Sequence, residues 1–263
     1  MSAPQEKAAA LAHRLRRDVV AMAAGPQGAH LGGSLSCVDV LAVLYGGLLG
    51  ERDSFVLSKG HAAPALYAAL AATGRLDRAE LARYAEPGSR LFGHPPRGLP
   101  GVEFPTGSLG HGLSLAAGVA LAGQLTGAGG RTYVLLGDGE LQEGTVWEAA
   151  MFAGARRLAS LVAVVDRNGL QLARPTEDAG SPEPLEARFA AFGWRVRPVD
   201  GHDHAALEAA LREPADRPVA VLARTVKGQG VPFLRGRISS HYVKLRPELL
   251  RRALAALDAR EGR

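Results

Sequence analysis

Apolar positions along the chain change period several times. Over residues 6–24 they recur every three to four positions, which predicts an amphipathic helix. Residues 36–49 (SCVDVLAVLYGGLL) predict a second helix, with Ser36 and Asp39 spaced as a capping box at its start. A short strand is expected at Phe55–Ser58, then a helix from about Ala62 to Ala72. Glu86 to Leu109 is rich in Pro and Gly and reads as loop, and residues 111–125 read as helix again. The second half alternates more regularly. Strands are expected at Thr132–Leu136, Leu161–Asp166, Trp194–Val199 and Val219–Arg224, each short, β-branched and apolar on both faces, as buried parallel strands are. Helical patterns at 141–157, 184–192 and 204–212 lie between them, and a basic helix at about 247–260 follows. This βαβα order predicts a three-layer α/β/α architecture with a mostly parallel, doubly wound sheet. The expectation is one domain over residues 1–263, with a C-terminal helical extension.

Composition narrows the class. With 263 residues, 47% hydrophobic, the chain is long enough for a substantial core and is neither disordered nor collagenous. A single cysteine, Cys37, excludes a disulfide framework and suits a reducing compartment. No apolar run approaches the roughly 18 residues of a membrane span, and the N-terminus lacks a secretory pattern. A cytoplasmic protein without a membrane partner is expected. The net charge of +5 raises the question of nucleic acid. The basic residues, 27 Arg and 4 Lys, are scattered rather than clustered, so no nucleic-acid partner is expected. Small anionic ligands remain compatible with the charge.

The chemistry concentrates at Gly137-Asp138-Gly139-Glu140, directly after the strand TYVLL. Ligands of open α/β sheets bind beyond the carboxyl ends of strands. Flanking glycines let backbone approach a ligand, and a following helix turns its N-terminal amides toward an anion. The next strand ends in Asp166-Arg167-Asn168-Gly169-Leu170. Two neighbouring strand ends therefore each offer an oxygen, from Asp138 and Asn168. With a nearby carbonyl they could hold half the shell of a Mg²⁺ ion, whose other ligands would come from a diphosphate. A dinucleotide fingerprint fails, because position 142 is Gln where a third glycine is needed, and no P-loop occurs.

Seven stretches then carry a resemblance: GAHLGGSLS (28–36), FVLSKGHAAPALYAAL (55–70), FGHP (92–95), GSLGHGLSLAAGVALA (107–122), GDGELQEGTVWEAAMFA (137–153), DRNGLQ (166–171) and KGQGVPF (227–233). In this order they resemble the N-terminal, thiamin-diphosphate-binding region of transketolase. A full-length transketolase continues through a pyrimidine-binding and a further C-terminal domain, so the chain resembles the N-terminal subunit of a split, two-chain enzyme. The resemblance implies a thiamin-diphosphate-dependent transferase that moves a two-carbon ketol unit from a ketose phosphate to an acceptor. It also implies activity only with a C-terminal, pyrimidine-binding partner, in an α₂β₂ assembly. The acceptor is open between an aldose phosphate and a lipoyl or carrier-protein thiol in a specialised pathway.

Residue by residue, the resemblance makes Asp138, Asn168 and the Leu170 carbonyl ligands of Mg²⁺, or of another divalent ion such as Ca²⁺ or Mn²⁺. It makes Gly137, Gly139 and Glu140, with Leu109 and Gly110, part of the cofactor-binding loops. His61 and His241 are expected near the diphosphate and the thiazolium, His30 and His94 near the sugar hydroxyls at the reacting carbon. Glu143 is expected at the interface with the partner's activating glutamate. Two positions depart from the family pattern: His111 stands where Gln is usual, and Ser240-His241-Tyr242 replaces a His-Gly pair. Trp147, Met151 and Phe152 are expected in core or interface, and Glu148 in packing or on the helix surface. Lys227 is open between a solvated lysine and a substrate or interface role.

Overall fold

In the computed structural model, which describes residues 3–180 and 183–261, five parallel strands form one sheet in the order β1-β2-β3-β5-β4. They are β1 (Ser54–Leu57), β2 (Thr132–Gly137), β3 (Leu161–Arg167), β4 (Arg195–Asp200) and β5 (Val219–Arg224). Side chains alternate between the faces along a strand, and here they feed two cores. Tyr133, Leu135, Val162, Val164, Val219 and Val221 face one; Val134, Leu136, Ala163, Val165, Ala220 and Leu222 face the other. The first core is covered by α1 (Ala3–Met22), α2 (Leu31–Ser36), α3 (Val38–Val43), α4 (Ala63–Ala72), α8 (His204–Arg212) and α9 (Pro247–Glu261). The second lies under α5 (Gly112–Thr126), α6 (Gly144–Ala155) and α7 (Leu185–Ala191). This is the expected three-layer α/β/α arrangement with a doubly wound sheet. Among the described residues no helix is long and apolar enough to cross a membrane.

Three local expectations need correction. Ser36 does not start a helix. The chain is already helical from Leu31, and the break falls at Cys37. The Ser36 hydroxyl is buried, 2.9 Å from the Gly33 carbonyl and 2.5 Å from Asp166 Oδ2. Asp39, the other half of the supposed box, makes long-range contacts with Arg16, His202 and His204. Secondly, β4 is not buried on both faces. It is the sheet edge, with Arg195 and Asp200 exposed, and an edge tolerates Pro198, which has no N–H to donate. Trp194, expected in the strand, precedes β4 and packs in the second core. Thirdly, the helix expected over 141–157 is interrupted. A 3₁₀ turn at Gly139–Gln142 precedes α6, and Glu143 is extended between them.

Candidate active site

Four strands deliver polar residues to one end of the sheet. Ser58 and Lys59 follow β1, Asp138 follows β2, Asp166 and Asn168 come from the end of β3, and Thr225 and Lys227 follow β5. Above them lies a cleft of about 310 Å³. Asp138, Asn168, Leu170, Gly137, Gly139, Glu140 and Leu109 line it, as do His30, His61, His94 and His241. Gly110 and Glu143 lie outside the lining. They touch each other: a Cβ on Gly110 would sit 2.7 Å from that of Glu143.

The oxygen set is built by turns. Asp138 Oδ1 accepts the Gly139 amide at 2.8 Å, and Oδ2 accepts the Gly169 amide at 2.6 Å, so one carboxylate ties the ends of β2 and β3 together. Asn168 Oδ1 accepts the Leu170 amide at 3.2 Å, while its Nδ2 faces Asp166 Oδ2 at 3.5 Å, which fixes which way the amide points. Burial, then the charge of Asp166, raises Asp138 to about 6. A divalent cation against Asp138 would offset both effects. Among the described residues no three His, Cys, Asp or Glu side chains converge as a metal site. A carboxylate, an amide oxygen and a carbonyl suit a hard cation that takes its remaining ligands from phosphate and water. Two buried polar atoms of the lining have no partner, His30 Nδ1 and Gln171 Nε2, and such atoms usually await a ligand or water. At Gly139 a Cβ would lie 3.0 Å from Gln171 Cγ, so a larger residue there would press on Gln171. These residues fit a metal-bound diphosphate.

A buried ion pair forms the floor. Lys59 Nζ donates to Asp166 Oδ2 and, at 3.0 Å, to the Gly33 carbonyl. Thr225 donates to the other Asp166 oxygen. Burial alone would lower Lys59 and raise Asp166, but their mutual attraction outweighs it and keeps both charged. Lys227 is only 2% exposed, which overturns the solvated reading. Its Nζ reaches the Gln171 carbonyl at 2.8 Å, the Leu170 carbonyl at 3.4 Å and His241 Nδ1 at 3.2 Å. Burial, then Lys59, lowers it to about 8.

The four histidines form one cluster around His30. Its ring centroid is 5.6 Å from His61, 5.7 Å from His94 and 5.3 Å from His241, with Tyr242 edge-on at 4.8 Å. Burial, and then neighbouring cationic groups, lower His30 and His241 to about 4 and hold His61 well below an ordinary imidazole. These three rings are therefore neutral near pH 7. Tyr67 Oη lies 2.9 Å from the carbonyls of both Phe92 and His94, pinning the loop that carries His94.

Glu140 spends its oxygens locally. Oε1 accepts from Ser58 Oγ at 2.5 Å and from the Gly110 amide at 2.8 Å, and Oε2 accepts the Gly137 amide at 3.1 Å. It clamps the 107–112 loop to the β2 end. His111 is exposed and turns its Nδ1 to the Leu109 carbonyl at 3.1 Å. Glu143, at the start of α6, is exposed beside this loop. Glu148 is exposed too; Trp147 packs on Phe189 of the second core, and Met151 and Phe152 are surface residues.

Sequence reasoning misses Lys59, Asp166 and Gln171. The strand-end rule applied to β2 and β3 alone finds Asp138 and Asn168; applied to β1 and β5 it selects Lys59 and Lys227 as well.

Comparison with known proteins agrees with this geometry. Residues 6–257 match the family described as "Transketolase, thiamine diphosphate binding domain". The 6-deoxy-6-sulfo-D-fructose transketolase subunit SqwG of Clostridium sp. (strain MSTE9) is 44% identical over 247 residues, 89% of each chain. An apulose-4-phosphate transketolase subunit from Phocaeicola vulgatus is 38% identical, over 86% of this chain and 85% of that one. Human transketolase is 38% identical over 90% of this chain but only 40% of its own. Among solved structures, transketolase from Campylobacter jejuni superposes with a TM-score of 0.87 at 28% identity, over 98% of this chain and 43% of that one. Transketolase from Leishmania mexicana gives 0.86 at 29% identity, over 100% and 42%. The chain thus spans less than half the length of these solved transketolases and nearly all of the separately named subunits. It belongs to the transketolase family, as a chain of its thiamine-diphosphate-binding domain.

Proposed function

We propose that this chain is the metal- and diphosphate-holding half of a two-chain transketolase, active with a C-terminal, pyrimidine-binding subunit in an α₂β₂ assembly. The observation that carries the proposal is the convergence of Asp138, Asn168 and the Leu170 carbonyl with four clustered histidines in one cleft at the carboxyl ends of the strands. Thiamin diphosphate, when bound, supplies the carbon nucleophile that takes a two-carbon ketol unit from a ketose and hands it to an acceptor. Asp138, Asn168 and Leu170 hold the divalent ion that neutralises the diphosphate, and Gly139 offers its amide. Lys227 and Lys59 supply positive charge around the same group. His61 and His241 stand near the diphosphate and the thiazolium. His30 and His94 hydrogen-bond sugar hydroxyls and move protons at the carbons being cleaved and joined. The exposed Glu143 meets the partner's activating glutamate.

The relatives named for a sulfo-sugar and for a sugar phosphate support a donor ketose with an anionic end. We place the protein in the cytoplasm, where its single buried thiol stays reduced. The test is transfer of a two-carbon unit from ketose phosphates and sulfo-ketoses to aldose acceptors, with both chains, thiamin diphosphate and Mg²⁺ present. Transfer should need both chains, and His30→Ala should lower kcat/KM by ~10²–10⁴. A cofactor-loaded pair that cleaves no ketose contradicts the proposal.

A further inference from the structure

His202 lies outside the cleft, on the loop after β4, and is mostly buried. Both its ring nitrogens are engaged. Nδ1 is 2.7 Å from Asp39 Oδ2, and Nε2 is 2.9 Å from the backbone nitrogen of Val226. An amide N–H can only donate, so Nε2 is the unprotonated acceptor and the ring hydrogen sits on Nδ1, facing Asp39. Asp39 is 3% exposed and is also met by Arg16 at 2.5 Å and His204 at 2.8 Å. With three donors around it the carboxylate stays ionised, and that charge selects the tautomer of His202.

The amide that His202 holds precedes Lys227. Three amides of the strap carrying Lys227 donate beyond it: Thr225 to the Arg167 carbonyl at 3.1 Å, Val226 to His202, and Gly228 to the Gly32 carbonyl at 3.0 Å, while the Lys227 carbonyl accepts the Gly236 amide at 2.8 Å. Of these bonds only that of Val226 depends on a side chain. Arg16 and Asp39, on α1 and α3, are thus linked through an imidazole to the backbone one residue before a cleft lysine.

We propose that His202 is a positioning residue for Lys227, its Nε2 holding the Val226 amide so that the Lys227 ammonium faces the diphosphate end of the cleft. This rests on the reading of the cleft as a thiamin-diphosphate site. His202 touches no reacting atom; it acts through the strap.

Two substitutions separate this role from simple satisfaction of Asp39. His202→Asn keeps a donor near the position of Nδ1 and loses the acceptor for Val226. His202→Gln keeps an acceptor near the position of Nε2 and loses the donor to Asp39. Thiamin diphosphate is titrated with Mg²⁺ into the full chain assembled with its C-terminal partner, and Tm is measured on the same samples. His202→Asn, which strands the part-buried Val226 amide, should lose a few degrees of Tm, as His202→Gln does, but bind about tenfold more weakly. His202→Gln should lose a few degrees of Tm yet bind within about threefold of wild type. Affinity that follows Tm across the pair, or that changes in neither, overturns the inference. Wild type that binds no thiamin diphosphate overturns the cleft reading instead. Should a variant not fold, ¹⁵N-histidine spectra of the wild-type chain decide: His202 as neutral Nδ1–H supports the relay, and Nε2–H or imidazolium overturns it.

Discussion

At the residue scale the site is defined by what burial does to imidazoles and ammoniums. His30 and His241 are lowered to about 4, by burial first and then by cationic neighbours, against about 6.5 for a free ring. The sign follows from proton linkage. Between those values the unfolded chain binds protons that the folded chain does not, so stability falls as pH drops from about 6.5 toward 4. Urea midpoints taken across this window should decline, and His30→Asn/His241→Asn should flatten the decline. Equal slopes for the variant and the wild type would contradict the burial account. The histidines are legible in the sequence because His30, His61, His94 and His241 each sit in or beside a short, distinctive motif. The depressed pKa values are not, since they depend on rings 5–6 Å apart that come from four separate segments. Asp166 is hidden for a similar reason. Its partners Lys59, Ser36 and Thr225 come from the end of β1, from α2 and from the end of β5, and meet it only once the sheet and α2 are assembled.

At the element scale, strand periodicity locates β1, β2, β3 and β5 to within a residue, because apolar runs of this length have one comfortable place in a sheet covered on both faces. It cannot tell the edge from the centre: β4 carries Val196 and Val199 like its neighbours, and only pairing exposes its outer side. The false cap at Ser36 has the same origin. Ser and Asp three apart satisfy a local rule, but distant groups recruit both side chains, Asp166 of β3 taking Ser36 and Arg16 of α1 taking Asp39. Packing of α6 on the turn after α7 makes a sharper demand. A Cβ on Gly154 would stand 1.7 Å from the Phe192 carbonyl oxygen. Gly154→Ala should therefore cost ~1–3 kcal/mol by overpacking, lowering Tm by roughly 2–4 °C per kcal/mol. A Tm within one degree of wild type, by calorimetry, would show that this contact relaxes freely.

At the scale of the whole molecule, two apolar cores of opposite sheet faces clamp five strands, and the polar residues of four strands emerge at one end. The sheet is thereby a rigid mount for loops that contain little regular structure of their own, from the 107–112 loop to the strap at 225–230. Fold class and the Asp138–Asn168 pair are both readable from the chain alone, since each follows from alternation and strand-end position. The lysine floor and the His202 link are not, because they arise from the order β1-β2-β3-β5-β4, in which β5, last in the chain, lies inside the sheet. Glu143, Gly110 and the exposed His111 lie on one side of the site, the side we propose is offered to a second chain. On the proposed reading, the neighbouring ends of β2 and β3 hold a divalent ion and, through it, the diphosphate. Calorimetric titration of thiamin diphosphate into the two-chain assembly, with and without Mg²⁺, tests it on wild type and Asp138→Ala. Tight binding should require the ion and should weaken in the variant by more than the ~10–100-fold typical of outer-shell partners. Unchanged affinity and unchanged Mg²⁺ dependence in Asp138→Ala would contradict it.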